Sequence, residues 1–191
     1  MRRLLVEEIP WAYACCDALI TAEDVASASR FQNERRRNEH LAWRRVVRRE
    51  LGRKISIGYN EVGAPVVDIP DTYISVAHGA GCVAVAISDS RVGVDIERTD
   101  RDFGSVSSRY MTLAEQQLSA DERWAAVVWT AKEAIYKLYG QHEVDLTEDI
   151  RIMAFDAERM QLNAAVRERA DIVVEAQIIE NSVVVSVATY K

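Results

Sequence analysis

Asp95-Ile96-Glu97 places two carboxylates at i and i+2. On a strand those side chains share one face. Two anions side by side repel unless a cation bridges them. Hard oxygen ligands at that spacing suit Mg²⁺, which takes few carboxylates and leaves room for substrate phosphate. Read alone, Asp-x-Glu more often describes a strand end with solvated acids. Glu133 and Lys137 stand at i and i+4 in Lys132-Glu-Ala-Ile-Tyr-Lys137. That spacing is also an ordinary exposed helix pair worth about 0.3 kcal/mol. Only four of the 24 basic residues are lysine, however, and two of them fall here. A compact ammonium suits a single phosphoryl oxygen. His78, in Ser75-Val-Ala-His-Gly-Ala-Gly81, reads either as a structural turn histidine or as a phosphate contact beside turn amides.

Strands and helices must hold these groups. Leu4–Val6 is a candidate strand, and Thr21-Ala-Glu-Asp24 is a helix start with Thr21 as cap. The helical pattern runs on to about Leu51, with Trp43, Val46, Val47 and Leu51 as its apolar stripe. Residues 73–77, 82–87 and 92–96 are rich in β-branched residues and read as strands. Residues 105–139 read as helix in two pieces, the second striped by Trp124, Val127, Val128, Ala131, Ile135 and Leu138. Residues 171–179 and 182–188 flank Glu180-Asn181 as a hairpin. Each half is helix followed by strands, which predicts an α+β chain of two similar halves.

The chain has 191 residues, 49% of them hydrophobic, with eight Gly and three Pro. That excludes wholesale disorder and leaves one domain, or two small ones sharing a core. Net charge is −6, which argues against a protein that coats nucleic acid. The charge is uneven. Residues 30–54 hold ten bases against three acids, a net of +7, so the remainder carries −13. The segment is either a solvated helix face or a surface for nucleotide phosphates or an acidic partner. Phe31 and Trp43 are its only aromatics, too few for a single-strand stacking platform. Three cysteines, with Cys15 and Cys16 adjacent and no CxxC, give neither a disulfide framework nor a zinc site, so a reducing cytoplasm is expected. Glu7 and Glu8 interrupt any signal-like apolar run, and no run of 18 apolar residues predicts a membrane span.

Together, Gly93-Val-Asp-Ile-Glu97 and, 31 residues later, Trp129-Thr-Ala-Lys-Glu-Ala-Ile-Tyr-Lys137 resemble the two-part signature of the 4′-phosphopantetheinyl transferases. The length and the mid-chain position of the motifs look like the Sfp type. Arg30-Phe31, Leu41–Arg48, Gly63-Ala-Pro65, Ser75–His78, Arg109-Tyr-Met and Glu115 extend the likeness over about residues 30 to 140.

The resemblance implies a pseudo-dimeric fold of two α/β subdomains, residues 1–91 and 92–191, with coenzyme A (CoA) in the cleft between them. It implies a holo-acyl-carrier-protein synthase. Such an enzyme uses Mg²⁺ to move 4′-phosphopantetheine from CoA to a serine of an acyl or peptidyl carrier protein, releasing 3′,5′-ADP. Asp95, Glu97 and Glu133 would hold the metal. Glu133 would be the candidate base, Lys137 would stabilise the transferring phosphoryl group, and Lys132 would contact phosphate or support its helix. His78 would hold the 3′-phosphate, with Arg44 as a phosphate contact from the basic helix. A monomer is expected, with neither nucleic acid nor membrane as partner. The competing reading is a catalytically degenerate relative that binds a carrier or other acidic partner. Departures fall on the nucleotide side: Ala64 stands where the family has lysine, Ala77 and Gly79 where it has serines, and Asp24 and Ser27 where lysines often precede the basic helix. Arg35, Arg36, Arg37 and Arg44 are the expected compensation.

Overall fold

A computed structural model describes residues 2–10, 17–141 and 143–191. Cys15 and Cys16 lie outside the described residues, and Cys82 is a free thiol. The chain opens with strand β1 (Arg3–Glu8) and helix α1 (Ala22–Ala28). Thr21 caps α1 in a reciprocal box with Asp24, as its sequence predicts.

The single helix expected to run to Leu51 is instead two. After α1 the chain turns through residues 29–32, and Asn33 restarts it by accepting from the Arg35 and Arg36 amides. Helix α2 (Glu34–Leu51) follows. The Asn33 cap satisfies N–H groups that a continuous helix would have bonded internally, which is why the break is stable. Strands β2 (Ile57–Tyr59) and β3 (Pro65–Val67) form a short ribbon. β4 (Tyr73–Gly79), β5 (Cys82–Ser88) and β6 (Val92–Arg98) then occupy the expected positions.

The stretch read as helix from 105 begins as a 3₁₀ turn (Gly104–Arg109), continues in the one-turn α3 (Leu113–Gln116), and becomes regular only in α4 (Trp124–Tyr139). Strands β7 (Ile150–Asp156), β8 (Gln161–Val166), β9 (Arg169–Ile179) and β10 (Val183–Tyr190) complete the chain. Glu180 and Asn181 both take positive φ, the geometry of a two-residue hairpin turn whose twist matches its strands.

The pairs are antiparallel. One sheet has the order β1-β5-β4 and the other β6-β10-β9-β8-β7. Period-2 alternation divides β5 between two cores. Val83, Val85 and Ile87 pack under Trp43, Val46 and Val47 of α2. Ala84 and Ala86 face Val94, Ile96, Val185 and Val187 of the second sheet. The far side of that sheet packs against α4 through Val127, Ala131, Ile135 and Leu138. The layers run helix, sheet, sheet, helix. Two glycines permit the close approaches. A Cβ at Gly79 would collide with the Ile96 carbonyl, and one at Gly93 with the Ala134 carbonyl of α4. Residues 89–91 connect β5 to β6.

Candidate functional site

Gly93 lets α4 lie directly on β6, and that contact sets the site. Lys137, in the last turn of α4, donates from Nζ to Asp95 Oδ1 at 2.8 Å and to the Val94 carbonyl at 2.9 Å. Glu97, two residues along β6, is ion-paired to Arg101. Glu133 lies one helical turn before Lys137. Burial raises the Glu133 carboxyl above its ordinary range, and the Asp95 and Glu97 charges raise it further against the pull of Lys137. Asp95 is likewise raised by burial and by Glu97, with Lys137 opposing. The three carboxylates therefore feel one another across the strand and helix.

As the side chains stand, no three acidic, histidine or cysteine groups among the described residues come together as a metal site. The donor chemistry nonetheless fits a hard cation: three carboxylates, two of them raised above their ordinary range by burial and by one another's charge. At present Lys137 and Arg101 supply the neutralising charge.

A groove of about 480 Å³ is lined by Asp95 and Lys137 of this cluster together with Arg36, Glu39, His40 and His78. Lys137 also lines a second, more apolar cavity of about 300 Å³ bounded by Tyr59, Ala64, Pro65, Ser75 and Tyr136. His78, at the end of β4, stands in the groove. Arg36 Nη1 lies 2.7 Å from its Nε2, which must accept, so the ring proton resides on Nδ1. Nδ1 is 3.5 Å from Glu39 Oε2. Burial lowers the His78 pKa, the Glu39 charge opposes, and Arg36 and Lys137 lower it again.

Two of the sequence candidates lie away from the groove. Arg44 is 3% exposed. Its Nε is 3.2 Å from Asp24 Oδ1, its guanidinium lies 4.1 Å over the Trp43 ring, and its Nη2 donates to the Tyr59 hydroxyl at 3.2 Å. It braces the groove wall from behind. Lys132 has no exposed surface. Its Nζ is 2.8 Å from Glu115 Oε1 and donates to the carbonyls of Leu146 (2.8 Å) and Ile150 (2.7 Å). Of its two expected roles, phosphate contact or helix support, its position serves the second.

Among the described residues, six of the ten bases in the basic segment pair with acids. Arg44 and Arg48 share Asp24, Arg45 pairs with Asp17 and Glu7, and Arg49 pairs with Glu7 and Glu50. Arg36 lines the groove and Arg35 an adjoining pocket at His78, and both bind Glu39. Sequence reading missed Glu39. Its signal was present, since it stands at i+4 from Arg35 and i+3 from Arg36 on one helix.

No curated protein matches the chain. A sequence model of the 4′-phosphopantetheinyl transferase superfamily matches residues 91–188, the half that carries Asp95, Glu97, Glu133 and Lys137. With both motifs brought into contact across β6 and α4, the chain belongs to the 4′-phosphopantetheinyl transferase superfamily.

Proposed function

We propose that this protein transfers 4′-phosphopantetheine from a coenzyme A-type pyrophosphate to a serine of an acyl or peptidyl carrier protein. The observation that carries the reading is the Lys137–Asp95 pair lining the groove, with the Glu133 carboxyl raised by the Asp95 charge. We read the chain as Sfp-type, with the α2 sheet and the α4 sheet as the two subdomains, the nucleotide in the groove between them, and the monomer in the cytoplasm as the working form.

Asp95, Glu97 and Glu133 are the residues that would hold Mg²⁺, whose charge would offset that of the pyrophosphate. The remaining work belongs to the chain's own side chains. Lys137 places a positive charge where a phosphoryl oxygen gains negative charge, and Asp95 fixes its position. A serine hydroxyl is a weak nucleophile and needs a base within hydrogen-bond reach. Glu133, its pKa raised by burial and the neighbouring acids, is a stronger base than an ordinary glutamate and suits that task directly or through a water. His78 and Arg36 line the wall along which the nucleotide lies. Positioning and charge are most of what phosphoryl transfer requires.

The test is incubation with coenzyme A or its analogues, Mg²⁺ and a panel of apo carrier proteins. Gain of one phosphopantetheine mass by the carrier supports the reading, and Glu133→Ala should abolish it. Carrier binding that is salt-sensitive but unaccompanied by transfer would favour the degenerate binding module. The pairing of Asp95 and Glu97 with basic side chains is the observation behind that second reading.

A further inference from the structure

We propose that Ser75 is a positioning residue for the transfer. It clasps the two sheets together at the groove and so holds the wall that bears His78 in register with Asp95 and Lys137. The proposal rests on the transferase reading above.

The groove is built where two sheet edges meet. β4 is an edge of the first sheet and β6 an edge of the second. The two strands pack against each other, yet among the described residues each pairs only within its own sheet. Period-2 alternation gives β4 one face of small residues, Ser75, Ala77 and Gly79. Ala77 packs with Val94 and Ile96 of β6, and a Cβ at Gly79 would strike the Ile96 carbonyl. Of these three residues only Ser75 carries a hydrogen-bonding side chain. It is 5% exposed, and its hydroxyl accepts from the Val94 amide at 3.1 Å.

That bond joins the two halves of the groove. Val94 precedes Asp95, and its carbonyl receives Lys137 Nζ at 2.9 Å. Ser75 therefore holds the stretch of β6 that seats both charges. Three residues along β4 stands His78, which lines the groove with Asp95 and Lys137. Apolar packing is non-directional and lets one edge slide along another. A slip of one residue moves a strand about 3.3 Å. A buried hydrogen bond is directional, and breaking it would leave the Val94 N–H without a partner away from water. Ser75 is thus the contact that fixes β4 along β6.

A donor that reaches from the His78 wall to Lys137 spans both sheets. Its phosphorus is aligned for attack only while the sheets keep their spacing, and a displacement of about 1 Å can cost about 10²-fold in rate. The effect of Ser75 reaches the chemistry through Val94, Asp95 and Lys137, so it falls on kcat rather than on nucleotide binding.

Steady-state transfer from coenzyme A to an apo carrier in Mg²⁺, together with amide hydrogen exchange of the intact protein, tests the proposal. Below its melting temperature Ser75→Ala should lower kcat about tenfold or more and change KM for coenzyme A by less than about threefold. Ser75→Thr keeps the hydroxyl, has the adjoining cavity of about 300 Å³ for its methyl, and should recover most of the loss. The Val94 amide should exchange slowly in the wild type and at least about tenfold faster in Ser75→Ala. Unchanged kcat in folded Ser75→Ala, or a threonine variant no better than alanine, overturns the proposal and leaves the transferase reading standing. Rapid exchange of the Val94 amide in the wild type overturns it without any variant. If the wild type transfers to no carrier, the transferase reading falls and this role for Ser75 with it.

Discussion

Lys137 Nζ lies 2.8 Å from Asp95 Oδ1, joining the last turn of α4 to the middle of β6 and the second family motif to the first. The lysine side chain is 29% exposed and the aspartate 12%, so the pair lies at the groove surface rather than in the core. Lys137→Ala should therefore leave folding nearly intact while lowering transfer by about 10²-fold or more, the usual loss when a charge aimed at the transition state is removed. Lys137→Arg should not restore activity, because a planar fork cannot replace a compact ammonium donating to both Asp95 and the Val94 carbonyl. Steady-state kinetics beside a melting curve separates these effects. Activity loss matched by loss of fold would count against the assignment.

The raised Glu133 carboxyl gives a pH and metal prediction. A carboxylate that titrates higher in the folded protein than in the unfolded chain binds more protons when folded. Folding is therefore penalised as pH rises from the unfolded pKa through the folded one. A divalent cation reverses that penalty by favouring the ionised acids. Added Mg²⁺ should raise the melting temperature more at pH 7.5 than at pH 5, because protons compete increasingly with the cation for the raised Asp95 and Glu133 carboxylates as pH falls. Glu133→Gln should shrink the effect. A Mg²⁺ response independent of pH, or unchanged in Asp95→Asn, would remove these carboxylates as its source.

The buried Lys132–Glu115 pair separates structure from chemistry within one motif. Both residues are almost fully buried, and Glu115 Oε1 also accepts from the Ile152 amide at 2.7 Å. Removing one member leaves an unpaired buried charge, which costs about 3–5 kcal/mol. Lys132→Met should lower stability by that amount in urea unfolding, whereas Glu133→Gln, one residue away, should change it little. Comparable stability of the two variants would contradict the contrast.

Much of this arrangement is legible in the sequence. The Thr21 cap, the strand positions and the α4 stripe come from local rules, and the Asp-x-Glu and Lys-Glu-x-x-x-Lys spacings were enough to select Asp95 and Lys137, which meet. The fate of the basic segment was not legible. Whether Arg44 faces a ligand or Asp24 depends on how α1 folds back on α2, a tertiary contact with no local signal. The β7–β8 hairpin was also missed. Ala164 and Ala165 are buried in β8 but lack the β-branched signature that marks β9 and β10.

Arg44 and Arg36 should separate accordingly. Arg44→Ala deprives Asp24 of one partner and strips the cation from the Trp43 ring. It should lower stability by about 2–4 kcal/mol while changing nucleotide affinity only slightly at a temperature where the fold persists. Arg36→Ala, on a half-exposed side chain, should do the reverse. Equal losses of affinity in the two variants would return Arg44 to the binding surface.

His40 supplies an acid-side limit on stability. Its Nδ1 lies 3.1 Å from Arg44 Nη1 and must accept, so the neutral ring carries its proton on Nε2, which is buried without a partner among the described residues. Burial first, and then the Arg44 charge, lowers its pKa to about 4. The unfolded chain takes up this proton below about pH 6.5, and the folded protein only near pH 4. The unfolded state therefore binds more protons in between. Stability from this group is fully present above pH 6.5 and is lost as pH falls toward 4, by at most about 3 kcal/mol. His40→Gln keeps an acceptor for Arg44 and removes the titration, so its stability should decline less steeply over that interval. Parallel pH profiles for wild type and variant would show that His40 is not the group responsible.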